Sequence, residues 1–180
     1  MRNSKKKGGG RMKIRTLARM GLLCALALII FMVEAQIPSP VPVPGIKLGL
    51  ANIVTVFAVW ILGSRQAAGI LTARIFLGAV FSGNFGTIFY SAAGGFFAIL
   101  AVILLKKILK ENQLWVAGCV GAVCHSIGQM AVAVVLTGTP GLLVYLPVMI
   151  ACSLVAGLFT GLCAQLLVNR GEKFWKTVFK

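Results

Sequence analysis

Long apolar runs separated by short polar gaps dominate the pattern along the chain. A helix needs about 20 apolar residues to cross a bilayer, and the first run and the last three are clear spans by this measure. The second and third runs are short, so they are either thin spans, the favoured reading, or one re-entrant hairpin. With either structure, the chain after the third run lies on the same side of the membrane as the chain before the second run. The six runs occupy residues 17–33, 46–62, 67–81, 85–105, 114–136 and 141–168.

The composition agrees with this pattern. Of 180 residues, 59% are hydrophobic and only 12% are charged, whereas a soluble domain has about a quarter of its residues charged. The sequence therefore predicts an all-α, polytopic integral membrane protein with about six transmembrane helices. It divides into a basic tail over 1–16, a six-helix transmembrane domain over 17–168 and an amphipathic segment over 169–180.

Basic residues set the predicted orientation. The chain has 18 Lys and Arg against three Glu, a formal net charge of +15. Sixteen of the basic residues lie before residue 20, in the gaps 62–67 and 105–114, or in the C-terminal segment, whereas the other three gaps hold only Lys47. Because positive residues stay on the cytoplasmic side, both termini are predicted to be cytoplasmic, and the charge requires no nucleic-acid partner. A cleaved secretory signal ending near residues 33–35 is the less favoured alternative, because its apolar stretch is long for a signal core.

The residue types present exclude several chemistries. The chain has no Asp and a single His, which rules out a Ser-His-Asp triad, a carboxylate pair and an Asp-rich magnesium site. Five Cys lack the paired spacing of a zinc site and are interpreted as core residues. We therefore predict no catalytic residue, no metal and no cofactor. The Cys are Cys24, Cys119, Cys124, Cys152 and Cys163.

Two segments outside the long runs have patterns of their own. Residues 36–45 carry Pro at four alternate positions, which predicts a stiff, extended segment over the outer face, either a lid or a plain connector. Near the C-terminus, Phe174, Trp175, Val178 and Phe179 fall on one helical face. This arrangement predicts a short amphipathic helix on the inner leaflet.

Polar residues inside the apolar runs fall mainly in the middle and outer half of the predicted membrane domain. Burying such groups is costly, so each is a candidate for function. Arg74 lies midway along the third run, and its planar fork suits a carboxylate or phosphate. The alternative is that Glu34 pairs with Arg74 or Lys47, and that His125 and Gln129 bond to carbonyls of other helices. The candidate substrate-binding residues are Glu34, Lys47, Asn52, Arg74, Asn84, Tyr90, His125 and Gln129.

Small residues four apart form a second pattern, the spacing that lets helices approach closely. Tight packing within the protein is the favoured reading. The pairs in the first and third runs lie toward the cytoplasmic half, where a partner membrane subunit could dock, so Gly21, Ala25, Gly69 and Ala73 are candidate partner contacts. The four pairs are Gly21 and Ala25, Gly69 and Ala73, Gly118 and Ala122, and Gly157 and Gly161.

Three motifs in this order carry a resemblance to a known family. They are the stretch PGIKLGLANIV over 44–54, FSGN over 81–84 and HSIGQ over 125–129. Over residues 17–168 the chain resembles the bacterial Gx transporter family, which also carries the label heptaprenyl diphosphate synthase component I. The wider superfamily resembles the substrate-binding S components of energy-coupling factor (ECF) transporters. This implies a six-helix bundle in the bacterial plasma membrane, with an outward pocket, a capping first loop, a membrane coupling subunit and two ATPases.

Two functions follow as hypotheses. The first is a membrane-embedded, S-component-like transport protein for a small anionic or amphiphilic molecule, energised by partners because the chain has no phosphate-binding loop. The alternative is a non-catalytic membrane subunit in heptaprenyl diphosphate or menaquinone metabolism, which holds a lipidic substrate or tethers a prenyl diphosphate synthase subunit to the membrane lipid. The chain is not expected to be an enzyme, because prenyl diphosphate synthases bind magnesium through Asp-rich motifs and it has no Asp.

Overall fold

The computed structural model describes residues 14–37 and 47–178, with side chains described as far as residue 171. The described part is all-helical, which confirms the predicted fold class. Short 3₁₀ turns precede the last two α-helices. The six α-helices are α1 (Ile14–Glu34), α2 (Asn52–Ile61), α3 (Ser64–Ser82), α4 (Thr87–Lys106), α5 (Leu114–Thr137) and α6 (Leu146–Val178).

Three predicted features lie outside the described residues. They are the basic tail through residue 13, residues 38–45 of the Pro-rich segment, and the side chains of the C-terminal amphipathic segment after residue 171. The α6 backbone itself continues without a break from Leu146 to Val178.

Four helical stretches are long and apolar enough to cross a membrane. They coincide with the first and the last three apolar runs, so the chain is a polytopic membrane protein, as predicted. Helix α3 is about 28 Å long, but Arg65, Gln66 and Arg74 make it more polar than these four. The four stretches are Ile14–Glu34, Thr87–Lys106, Glu111–Thr137 and Pro140–Gly171.

Helix α2 is a half-length helix at the centre of the bundle. Its 10 residues extend only about 15 Å, half of the hydrocarbon thickness. Seven of them are buried, and α2 contacts all five other α-helices. The apolar run over 46–62 is thus helical over little more than half of its length. Residues 47–51 precede α2 as non-helical backbone, which a membrane protein tolerates where it is enclosed by protein.

Lys106 closes the C-terminal end of α2. Its Nζ atom donates hydrogen bonds to the carbonyl oxygens of Val59, at 2.6 Å, and Trp60, at 3.4 Å. A cation at this position satisfies carbonyls that have no partner within the helix and opposes the helix dipole. The end of the bundle containing Lys106 is called the Lys106 end below, and the opposite end, where α1 stops, is called the Glu34 end.

Small residues determine how α5 and α6 pack. A Cβ atom placed on Gly118 would lie 2.5 Å from the carbonyl oxygen of Gly157, and one on Gly161 would lie 2.7 Å from Cα of Trp115. The two backbones are therefore in contact, as the small-residue spacing predicted for tight internal packing. The pairs on α1 and α3 differ, because Gly21, Ala25, Gly69 and Ala73 are all exposed in this chain.

Candidate functional site

Six of the eight candidate binding residues converge at the Glu34 end of the bundle. They come from α1, α2, α3, α5 and the non-helical segment that leads into α2, and five of the six are buried. We call this group the buried polar cluster. Its members are Glu34, Lys47, Asn52, Arg74, His125 and Gln129.

The segment preceding α2 is fixed to α1 and α5 by two hydrogen bonds. The Gly49 N–H donates to Oε1 of Glu34 at 2.5 Å, and the Lys47 N–H donates to Oε1 of Gln129 at 3.2 Å. Each bond joins a backbone donor to a side-chain acceptor on a helix. The segment therefore lies within the cluster and not above it.

Gly49 is required where this segment turns. Its φ of +85° is in the left-handed region that favours glycine. A Cβ atom there would also lie 2.7 Å from Nδ2 of Asn52 and 3.0 Å from Cδ2 of His125. The absence of a side chain thus lets the backbone approach both residues.

The ring of Phe31 supports the two cations of the cluster. Nζ of Lys47 lies 3.4 Å from the ring centroid, and Cζ of Arg74 lies 5.4 Å from it. A cation over an aromatic face is stabilised by the ring quadrupole. The ring itself fits against Gly78 of α3, where a Cβ atom would lie 2.8 Å from Cε1 of Phe31.

Arg74 is buried, with only 4% of its surface exposed, and its Nη2 atom makes no hydrogen bond among the described residues. The carboxylate of Glu34 is bonded to the Gly49 N–H. A buried guanidinium is normally paired and hydrogen-bonded, because an unpaired charge in a low-dielectric interior is costly. Arg74 therefore offers donor capacity that a bound anion can use.

Asn52 and His125 extend this unsatisfied region. Both are buried, and neither side-chain polar atom of Asn52 nor Nδ1 of His125 has a hydrogen-bond partner in the described part of the chain. Each unsatisfied buried group costs about 1–3 kcal/mol. The backbone N–H groups of Asn52 and Ile53 are used, since they donate to the carbonyls of Gly49 and Leu50. The unused capacity lies in the side chains.

Helix α4 contributes its backbone to the cluster. A Cβ atom on Gly94 would lie 2.8 Å from Nδ1 of His125 and 2.9 Å from Cγ of Gln129. This glycine allows α4 to approach the two polar side chains of α5. The sequence analysis did not identify Gly94, Phe31 or Gly49 as part of the site. Of these, Phe31 could have been predicted, because it lies three residues before Glu34 and so on the same face of α1.

The other two candidates lie apart from the cluster. Asn84 is exposed and belongs to the turn between α3 and α4, where its Oδ1 accepts the Gly86 N–H at 3.1 Å. Tyr90 packs instead with Met130, Ala133 and Met149. Their proposed role in binding remains a prediction that these positions do not favour.

The described residues also line three apolar grooves. One of them, of about 490 Å³, lies between α3 and α4 and includes Leu71, Ile75 and Phe96. The other two lie along α1. The linings of these three contain no residue of the buried polar cluster, so we assign the grooves to the apolar exterior. Among the described residues, no three His, Cys or acidic side chains come together as a metal site requires.

Fold and cluster together define a class: an all-helical, polytopic membrane protein that encloses an incompletely satisfied polar cluster around a half-length helix. Comparison with known proteins gives the family. The family model for heptaprenyl diphosphate synthase component I matches residues 23–167, and the chain belongs to that family. Comparisons with curated proteins and with solved structures gave no match.

Proposed function

We propose that the chain is a membrane-embedded, S-component-like transport protein that binds a small anionic or amphiphilic molecule at the buried polar cluster. The observation that carries the proposal is that one buried cluster contains three unpartnered groups among the described residues: Nη2 of Arg74, both side-chain polar atoms of Asn52 and Nδ1 of His125. These groups come from three helices. A structural core would leave few such groups unsatisfied, whereas a binding site leaves them for its ligand.

The chemistry of the cluster favours an anion. Arg presents a rigid fork of donors that matches a carboxylate or phosphate, and Lys47 adds a second cation near the same ring. Asn52 can donate or accept, and so can His125 in its neutral form. The ligand thus needs an anionic group together with neutral hydrogen-bonding groups.

The remainder of the proposal concerns orientation and partners. We propose that both termini are cytoplasmic, which places the Glu34 end and its cluster on the outer side. Energy for transport would come from a membrane coupling subunit and ATPases, since the sequence has no phosphate-binding loop. The exposed small residues Gly21, Ala25, Gly69 and Ala73 support a helix partner at α1 and α3.

The experiment compares ligand binding by the wild type and the Arg74→Gln variant in lipid nanodiscs. The candidate ligands are carboxylate vitamins, quinone precursors and prenyl phosphates. Removing the fork should weaken binding at least tenfold, about 1.4 kcal/mol, while the protein still inserts and folds. Arg74→Lys should recover little, because a point charge does not replace a planar fork.

Arg65→Gln is the matched control, because Arg65 is an exposed arginine on the same helix. It should bind as the wild type does. An Arg74→Gln protein that binds its ligand with unchanged affinity would show that the site does not use this residue. A wild type that binds none of these compounds, alone or with a coupling ATPase complex, would contradict the proposal.

The family supports a second candidate function. Its description, heptaprenyl diphosphate synthase component I, favours a non-catalytic membrane subunit that serves a prenyl diphosphate synthase. Without Asp, the chain cannot supply the paired Asp-rich magnesium motifs of that chemistry. On this hypothesis, deleting the gene lowers long-chain quinone even when precursors are abundant, as chromatography of lipid extracts would measure. Normal quinone levels in the deletion strain would count against it.

A further inference from the structure

We infer that the ligand of the buried polar cluster carries a single net negative charge, and that Glu34 is the residue that sets this limit. The inference rests on the proposed function and makes it more specific. The charges of the cluster determine the net charge of the ligand, and nothing is inferred about the ligand's shape.

The cluster contains two cations and one anion. Lys47 and Arg74 both lie over the ring of Phe31, and Glu34 is buried beside them with 3% of its surface exposed. His125 is counted as neutral, because a buried imidazolium beside the Arg74 cation would be costly. The cluster therefore has a net charge of +1, because Glu34 balances only one of the two cations.

Among the described residues, no second carboxylate lies at this end of the bundle. The sequence has three acidic residues, Glu34, Glu111 and Glu172, and no Asp. Glu111 lies in the turn before α5 at the Lys106 end, and Glu172 follows Arg170 near the end of α6. Residues 38–46, which precede Lys47 in the sequence, contain no charged residue. In the part of the chain that the structure describes, Glu34 is thus the one carboxylate at this end.

Glu34 is also held in place. Its Oε1 accepts the N–H of Gly49, in the segment that is also bonded to Gln129 through the Lys47 N–H. The carboxylate therefore remains in the cluster when a ligand enters. One anionic group on the ligand balances the surplus cation and satisfies Nη2 of Arg74. A second anionic charge has no cation left to meet and is repelled by Glu34, at a short range where water screens little.

The ligand class follows from this balance. It is an oxyanion with one net charge, such as a monocarboxylate or a phosphodiester, joined to a neutral remainder. A dicarboxylate, a dianionic phosphate monoester or a free diphosphate is a poor match. This charge preference is a property of Glu34, because replacing it by a neutral residue would leave two unbalanced cations.

The test uses probe pairs that differ in charge at pH 8. One pair is dodecyl methyl phosphate and dodecyl phosphate, and the other is octanoate and suberate. Binding is measured in nanodiscs of phosphatidylcholine, whose headgroup has no net charge. The wild type should prefer the singly charged member of at least one pair by tenfold or more. Glu34→Gln keeps an oxygen that can accept the Gly49 N–H, and it should shift this preference at least tenfold toward the doubly charged member.

Glu111→Gln is the matched control and should leave the preference unchanged, since Glu111 lies at the opposite end of the bundle. A second variant, Lys47→Gln, removes the surplus cation but keeps the backbone bond to Gln129. It should weaken binding of dodecyl methyl phosphate at least tenfold and leave binding of neutral dodecanol unaffected. This arm tests the charge balance even if Glu34→Gln does not fold.

Three results would overturn the inference. The first is a wild type that binds the doubly charged probes more tightly. The second is a Glu34→Gln variant whose affinity for both members of a pair falls equally. The third is a Lys47→Gln variant that binds dodecyl methyl phosphate and dodecanol with wild-type affinity. In each case the proposed function stands if binding still depends on Arg74. A wild type that binds neither member of either pair also overturns the inference, whereas the proposed function is then decided by the separate comparison of wild type and Arg74→Gln with the candidate ligands named above.

Discussion

At the residue scale, the buried polar cluster depends on glycines as well as on its charged side chains. Gly49, Gly78 and Gly94 each lie where an added Cβ atom would come within 2.8 Å of a cluster residue or of Phe31. Gly49 differs from the other two because its φ is positive. A substitution at Gly49 would therefore be opposed both by backbone strain and by lack of space for a side chain.

Gly83 allows these two causes to be separated. It also has a positive φ, +63°, but a Cβ atom on it would meet nothing within 4 Å. Gly83→Ala should lower the free energy of unfolding by about 1–2 kcal/mol, the cost of left-handed backbone. Gly49→Ala should cost a further 1–3 kcal/mol or so, from crowding against Asn52 and His125. Denaturant titration in micelles measures both, and equal losses would contradict the role of close approach at Gly49.

At the element scale, the protein combines two kinds of helix contact. Helices α5 and α6 meet through glycine backbones, whereas α2 is held by surrounding side chains and by Lys106 at its end. Lipid gives no hydrophobic reward for bringing helices together, so close backbone packing supplies the attraction. The α5–α6 contact should therefore be sensitive to added side-chain volume.

Gly118→Leu tests this contact. Its Cβ atom would lie 2.5 Å from the Gly157 carbonyl, and backbone cannot move aside as a flexible side chain can. The expected loss of stability is about 3 kcal/mol, measured as a shift in the detergent or denaturant midpoint. Gly21→Leu is the control, since Gly21 is exposed and a Cβ there meets nothing within 4 Å. If both variants lose the same stability, the α5–α6 backbone contact does not have the importance assigned to it.

At the scale of the whole molecule, the basic residues and the four long apolar stretches make a prediction about topology. Reporters fused after Lys180 or inserted between residues 106 and 111 should be cytoplasmic, and one inserted at Pro40 should be external. Cysteine labelling from each side of the membrane or enzyme-reporter activity measures this. An external C-terminus would reverse the orientation, and would place the buried polar cluster on the cytoplasmic side.

The sequence by itself determined the all-helical membrane fold, the four long spans and the kinds of polar residue available for a site. These follow from run length and composition, which act locally. A continuous apolar stretch of about 20 residues satisfies its own backbone hydrogen bonds in lipid as a helix, whereas the strands of a membrane barrel are shorter and alternate in hydrophobicity. The charge count likewise needed no structure, and it excluded an Asp-rich metal site.

Only the tertiary structure decided which polar residues meet. Asn84 and Tyr90 lie near the Glu34 end of α3 and α4, yet they lie outside the cluster. Phe31 and the backbone of Gly94 are part of it. In water, a polar face identifies the exposed side of a helix. In lipid, the exterior is as apolar as the core, so hydrophobicity does not report which way a helix faces. That direction, and the half length of α2, are set by contacts between helices distant in sequence.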